Sequence, residues 1–141
     1  MPVEDASRQL AQLPGLEAEQ LTHLQAAGIG NCRQLLRATR RQDQLLTLAR
    51  TADLPLETLR SVVSRAELSQ IRGIGPTTLA HLFAVGVDSL AALASKEPQA
   101  LQAQLQQRIA RPPNLALIEY WIIQARRLRG HRSELGAPAH L

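Results

Sequence analysis

Apolar positions recur every three or four residues along most of the chain, and no β-branched run has the length of a strand. That period puts side chains on one face of a helix, so the expected class is all-α. The strongest stripe is Leu115, Ile118, Trp121, Ile122, Ala125 and Leu128, which predicts a long helix over 115–128. A second stripe, Leu56, Leu59, Val62, Val63 and Ala66, predicts another long helix that begins at Leu56. Shorter helices are bracketed by start and stop signals. Residues 17–27 end at Gly28, Asn31 caps a helix through Arg37, and 40–42 lead into one carrying Leu45, Leu46, Leu48 and Ala49. Residues 77–85 end at Gly86, Ser89 caps a helix through Ala94, and 97–109 reads as a Gln-rich helix closed by Arg111-Pro112-Pro113. Residues 3–12, with acids in their opening turn, read as a first short helix. Residues 130–141 contain Gly, Pro and His without a period and read as a mobile tail.

The pattern is used twice. Residues 13–35 laid over 71–93, at a spacing of 58, share seven of twenty-three positions, among them Gly15/Gly73, His23/His81 and Gly28/Gly86. At a spacing of 59 the stripe from Leu56 to Ala66 falls on that from Leu115 to Ala125. Each copy then buries part of its apolar face against the other. The expected arrangement is a first unit over 1–69, a second over 70–129 and the tail, packed into one compact body.

Composition narrows the chemistry. With 45% hydrophobic and 2% aromatic residues, the core must be built from Leu, Ala, Ile and Val. The chain carries a formal charge of +4, and of its sixteen Lys and Arg residues only Lys96 is Lys. Arg has a planar fork that grips phosphate and carboxylate, although a GC-rich genome also favours Arg wherever a cation is needed. One cysteine, Cys32, excludes an internal disulfide and agrees with a reducing compartment. No apolar run reaches membrane-spanning length, and the opening Met-Pro-Val-Glu-Asp lacks the parts of a signal peptide. The expectation is a cytoplasmic protein with no membrane partner.

The clearest functional signal is Ser69-Gln70-Ile71-Arg72-Gly73-Ile74-Gly75-Pro76-Thr77-Thr78. It reads as a tight turn between two helices. Gly73 and Gly75 are expected to supply backbone freedom, Ile71 and Ile74 to anchor the turn, and Pro76 to open the next helix. Free amides at such a helix start suit a phosphate, helped by the helix dipole. The first copy has Glu17 and Ala18 where the second has Gly75 and Pro76. A carboxylate there repels phosphate and can itself occupy the amides, so the first turn reads as architectural.

Ile71-Arg72-Gly73-Ile74-Gly75-Pro76, followed by Leu79 and Leu82, resembles the helix-hairpin-helix motif of DNA repair and recombination proteins. With Ala66-Glu67-Leu68 ahead of it and Trp121-Ile122-Ile123-Gln124-Ala125 near the end, residues 10–128 resemble a bacterial family of duplicated helix-hairpin-helix proteins known as a domain of unknown function. The resemblance implies a SAM-like helical bundle of two tandem repeats. It also implies contact with a DNA backbone, without reading sequence, through the amides of Gly73, Gly75, Thr77 and Thr78, with Arg72 and Ile74 in the same turn. In some proteins with this motif the turn's carbonyls hold a monovalent cation, which here implies Ser69, Ile71 and Ile74. The helix after Pro76 departs from the pattern in carrying neither Lys nor Arg.

Other residues have two readings. Arg126, Arg127, Arg129 and Arg132 either cover phosphates or form a solvated helix end, where cations are favoured in any case. Arg37, Arg40 and Arg41 are similar. His23 and His81 lack the further ligands that a metal needs, and read as helix-packing residues. Trp121 lies on the apolar face and reads as core, whereas Tyr120 faces elsewhere. No catalytic arrangement is present: no nucleophile elbow, no acid pair in a motif, no phosphate loop ending in Gly-Lys-Ser/Thr. The expectation is a non-enzymatic module without a cofactor that binds duplex or branched DNA. The alternative is an interaction or scaffold protein that holds a protein partner with the same helices.

Overall fold

The computed structural model describes residues 9–136, with side chains through Arg129. Among them the regular structure is helical: α1 (Ala18–Ala26), α2 (Cys32–Arg37), α3 (Gln42–Thr51), α4 (Leu56–Ser69), α5 (Pro76–Ala84), α6 (Leu90–Ala94), α7 (Pro98–Gln106) and α8 (Leu115–Gly136). The all-α expectation holds. None of these helices is long and apolar enough to cross a membrane.

Local chemistry sets the ends. Asn31 Oδ1 accepts from the Gln34 amide at 2.9 Å and opens α2. Ser89 Oγ does the same for the Ala92 amide at 3.1 Å and opens α6. Pro76 and Pro98 each stand in the first turn of a helix, where the missing N–H leaves nothing unpaired. Asn31→Ala should lower stability by about 1 kcal/mol, the usual worth of such a cap; a urea unfolding curve read by circular dichroism checks it.

Two ends differ from expectation. Residues 10–12 form a 3-10 turn, Leu10–Gln12, instead of the end of a helix, and Gln9 bridges to Asn31. The apolar Leu10 and Leu13 are buried, so packing rather than helix propensity decides the path there. The rest of the expected first helix, 3–8, lies outside the described residues. At the other end α8 continues to Gly136, past the predicted stop at Leu128. Arg126 to Arg129 are strong helix formers, and one glycine at 130 costs about 1 kcal/mol, too little to break a long helix. Of the expected tail, 137–141 lies outside the described residues.

The same bonds occur twice. Leu13 and Leu16 amides donate to Leu10 and Leu13 carbonyls, and 58 residues on, Ile71 and Ile74 donate to Leu68 and Ile71. Leu21→Glu17 recurs as Leu79→Gly75, and Ile29→Leu24 as Val87→Leu82. Gly15 and Gly73 have φ of 83° and 95°, and Gly28 and Gly86 of 90° and 89°. The α3 and α7 starts, however, are 56 apart (caps Arg41 and Glu97), before the long helices return to 59. Buried pairs follow those spacings: Leu45/Leu101 and Ala49/Leu105, then Leu59/Ile118, Val62/Trp121, Val63/Ile122 and Ala66/Ala125.

The long helices organise the packing. α4 contacts α2 and α3, while α8 contacts α6 and α7 in the equivalent way. α4 also touches α5 and α6. All the buried apolar side chains belong to one cluster, with Trp121 among its largest fully buried members. Arg65 of α4 crosses between the two sets of helices. Its guanidinium packs under Gly15 and stands 5.2 Å from the Phe83 ring centroid. Burial lowers its pKa, with the Asp88 charge acting in the opposite direction.

Candidate functional site

The turn between α4 and α5 is held from below. Ile71 and Ile74 are buried, and the Ile74 amide donates to the Ile71 carbonyl at 3.0 Å. Gly73 takes a φ of 95°, a left-handed conformation that favours glycine. A Cβ at Gly73 would also stand 3.0 Å from Trp121 Nε1 and 3.7 Å from Leu117 Cδ1. Gly73 is therefore required twice, by its own dihedral and by the indole packed against it. That indole nitrogen is buried with no hydrogen-bond partner among the described residues.

Gly75 is different, and the expectation for it needs correcting. Its φ and ψ are −90° and −172°, extended backbone open to any residue, and a Cβ there would meet nothing within 4 Å. The fold makes no demand for glycine at this position. The absent side chain instead leaves the backbone at the start of α5 uncovered.

The amide accounting separates the two turns. Among the described residues, the amides of Gly73, Gly75, Thr77 and Thr78 make no bond within the chain, and the α5 start has no side-chain cap. Leu79 is the first amide of that helix to be paired, to the Gly75 carbonyl at 2.8 Å. At the start of α1, Glu17 and Gln20 close a capping box instead. Gln20 Oε1 accepts from the Glu17 amide at 3.1 Å. The two amides that correspond to Gly75 and Thr78 are thus engaged by the protein's own side chains, as the Glu17 carboxylate led one to expect. No acid stands in the first turn of α5. Four unpaired donors therefore lie in and just after the turn, at the positive end of the α5 dipole.

The remaining candidates do not all gather there. Arg72 is exposed within the turn, Thr77 is exposed and Thr78 half-buried, whereas the Ile74 side chain faces the core. Arg126 donates through Nε to the Ala94 carbonyl at 3.1 Å, at the end of α6. Arg127 is exposed on α8. Arg129 lines a different cleft, with Arg40, Arg41 and Arg60. The turn rests on α8 at Leu117 and Trp121, and Arg129 lies eight residues beyond, about 12 Å along the axis at 1.5 Å per residue. Arg60 carried no signal in the sequence, because nothing in its neighbourhood marks which face of α4 lines the cleft that holds Arg129. Of the three carbonyls implied for a monovalent cation, that of Ile71 already accepts from Ile74, while Ser69 is buried with its hydroxyl bonded to the Ala66 carbonyl at 2.7 Å.

A family model described as Domain of unknown function (DUF4332) matches residues 14–128. The chain belongs to that family. No curated protein and no solved structure matches it. The DUF4332 match begins just before Gly15 and ends at Leu128, so it takes in both turns and α8 as far as the end of its apolar stripe. His23 and His81 are half-buried, His23 lying 3.9 Å from Glu19 one turn away. Among the described residues, no group of His, Cys, Asp and Glu could hold a metal ion.

Proposed function

We propose that this DUF4332 chain is a non-enzymatic binding module that touches the backbone of duplex or branched DNA through the turn before α5, without reading sequence. One observation carries the reading: among the described residues the amides of Gly73, Gly75, Thr77 and Thr78 are unpaired at a helix start, while two of the four matching amides in the first copy, those of Glu17 and Gln20, are engaged by its own side chains. The resemblance of residues 71–76 to the helix-hairpin-helix motif supports the same reading, with the two tandem repeats, bacterial origin and cytoplasmic setting that go with it. Arg72 adds a cation on the exposed lip of the turn. Backbone donors bind phosphate oxygens and carry no base information, so affinity should be insensitive to sequence.

Binding to a labelled duplex should weaken with salt. Two phosphate contacts give roughly a ten-fold loss between roughly 50 and 200 mM. A titration by fluorescence anisotropy reads this directly, with junction and single-stranded DNA as comparisons. No binding at low salt would remove the reading.

A second reading is favoured by a different observation. Leu117, Tyr120 and Ile123 are exposed on α8, Ile123 at 51%, and Leu117 adjoins the turn at Gly73. These side chains form an apolar strip on which a protein partner could rest. Under that reading Ile123→Asp abolishes partner capture and leaves DNA titrations flat in the wild type.

A further inference from the structure

The cleft that holds Arg129 encloses about 450 Å3 and is open to solvent. Four arginines line it from three separated segments: Arg40 and Arg41 before α3, Arg60 on α4, and Arg129 on α8. One carboxylate, Glu67, shares the lining. Asp43 holds Arg41 from outside it, through bonds of 3.0 and 3.3 Å from Nε and Nη2 to the two carboxylate oxygens. The hydrogen bond from Arg41 keeps the Asp43 carboxyl below the ordinary carboxylate range. That leaves Arg40, Arg60 and Arg129 lining one space, with Glu67 as the only acid among the described residues of its lining. Like charges gathered in a concave surface raise its potential and concentrate counter-anions there.

The lining also says what kind of anion fits. Among the described residues it contains no aromatic side chain, so they offer no platform on which a base could stack. The guanidinium forks match the paired oxygens of phosphate, and several of them suit a ligand with more than one phosphate. We infer that this cleft is a second anion-binding site, separate from the turn before α5, which takes clustered phosphate groups. The same chemistry is offered by a stretch of nucleic-acid backbone and by a free polyphosphate. The site draws its residues from both halves of the chain, so it exists only in the assembled fold. It does not depend on the turn being a DNA-binding element.

The test uses the full chain and two probes, inorganic tripolyphosphate by calorimetry and a labelled DNA duplex by anisotropy. Three variants are compared with wild type. Arg60→Glu/Arg129→Glu reverses two charges in the cleft; Arg33→Glu/Arg50→Glu makes the same change in net charge at exposed positions outside it. Gly75→Glu alters the turn alone. Wild type should bind tripolyphosphate at low salt, and the cleft variant should lose at least ten-fold, with the control and Gly75→Glu near wild type. Should tripolyphosphate displace the duplex, the phosphates come from a nucleic-acid strand, and the cleft variant should then show a salt slope shallower by about two contacts. Should it bind without displacing the duplex, the ligand is a free polyphosphate. Both outcomes support the site. No tripolyphosphate binding by wild type would overturn it, as would equal losses in the cleft and control variants. The milder pair Arg60→Gln/Arg129→Gln, with thermal unfolding measured alongside, separates a lost site from a damaged fold. A loss of duplex binding in Gly75→Glu alone speaks to the turn and leaves this result intact.

Discussion

Gly75→Glu should abolish most DNA binding while leaving the protein at least as stable as before. The backbone at Gly75 already has dihedrals that any residue adopts, and a new side chain meets open space. A glutamate at this N-cap reproduces the carboxylate half of the capping box at Glu17, Thr78 standing where the first copy has Gln20. Acidic groups at a helix start are worth about 0.3–1 kcal/mol through the dipole, so the thermal midpoint should hold or rise slightly. The binding side moves the other way. The carboxylate competes for the Thr78 amide and presents a negative charge where a phosphate would sit. Charge-assisted bonds are worth about 1.5–3 kcal/mol each, so loss of one corresponds to a fall of roughly ten-fold or more. Anisotropy titrations beside a thermal melt read both quantities. A variant that melts like wild type and binds DNA equally well would take the turn out of the binding surface altogether.

Trp121→Ala should have the largest effect on stability. The indole is 1% exposed and is among the largest fully buried side chains in the core. Truncating such a ring costs about 3–5 kcal/mol, through lost burial and the cavity left behind. Set against a typical total of about 5–15 kcal/mol, that brings a domain of this size close to unfolding. The loss should also reach the turn, because Gly73 rests against the Trp121 ring edge. Trp121→Phe gives a sharper comparison. It keeps most of the apolar volume and removes an indole N–H that has no partner among the described residues, so its cost should be distinctly smaller. Urea midpoints for the two variants test the order.

Much of this architecture was legible because it is written in local chemistry. Asn31, Ser89 and Pro76 mark helix starts by what their own atoms do to the nearest amides, and each stands where it was expected. The stripes of α4 and α8 were equally plain, since every third or fourth position had to face one core. The misreadings fall where distant segments decide. Leu10 is buried in a 3-10 turn, its amide directed to the Gly30 carbonyl twenty residues on. The 56-residue spacing of α3 and α7 was invisible, because Leu45/Leu101 is the single identity when residues 42–51 are laid over 98–107. At the site, the free amides were readable from Gly-Ile-Gly-Pro, but the reason for each glycine was not. The backbone dihedrals, together with the contact with Trp121 forty-eight residues away in sequence, show that Gly73 serves the fold and that Gly75 does not. The gathering of Arg40, Arg60 and Arg129 was hidden for the same reason: charge patterns along a chain do not say which helix faces meet.

The position of α4 bears on how this molecule can come apart. It packs on α2 and α3, yet it also touches α5 and α6, and the apolar interior is continuous across the chain. A cut after Ser69 would leave each fragment with a raw apolar surface that its other piece normally covers. Unfolding should accordingly be a single cooperative event, with amide exchange in α4 and α8 governed by the same global opening. A chain whose second half repeats the bonds of its first should therefore behave thermodynamically as one object, and neither half is expected to fold when lent to another protein without the other.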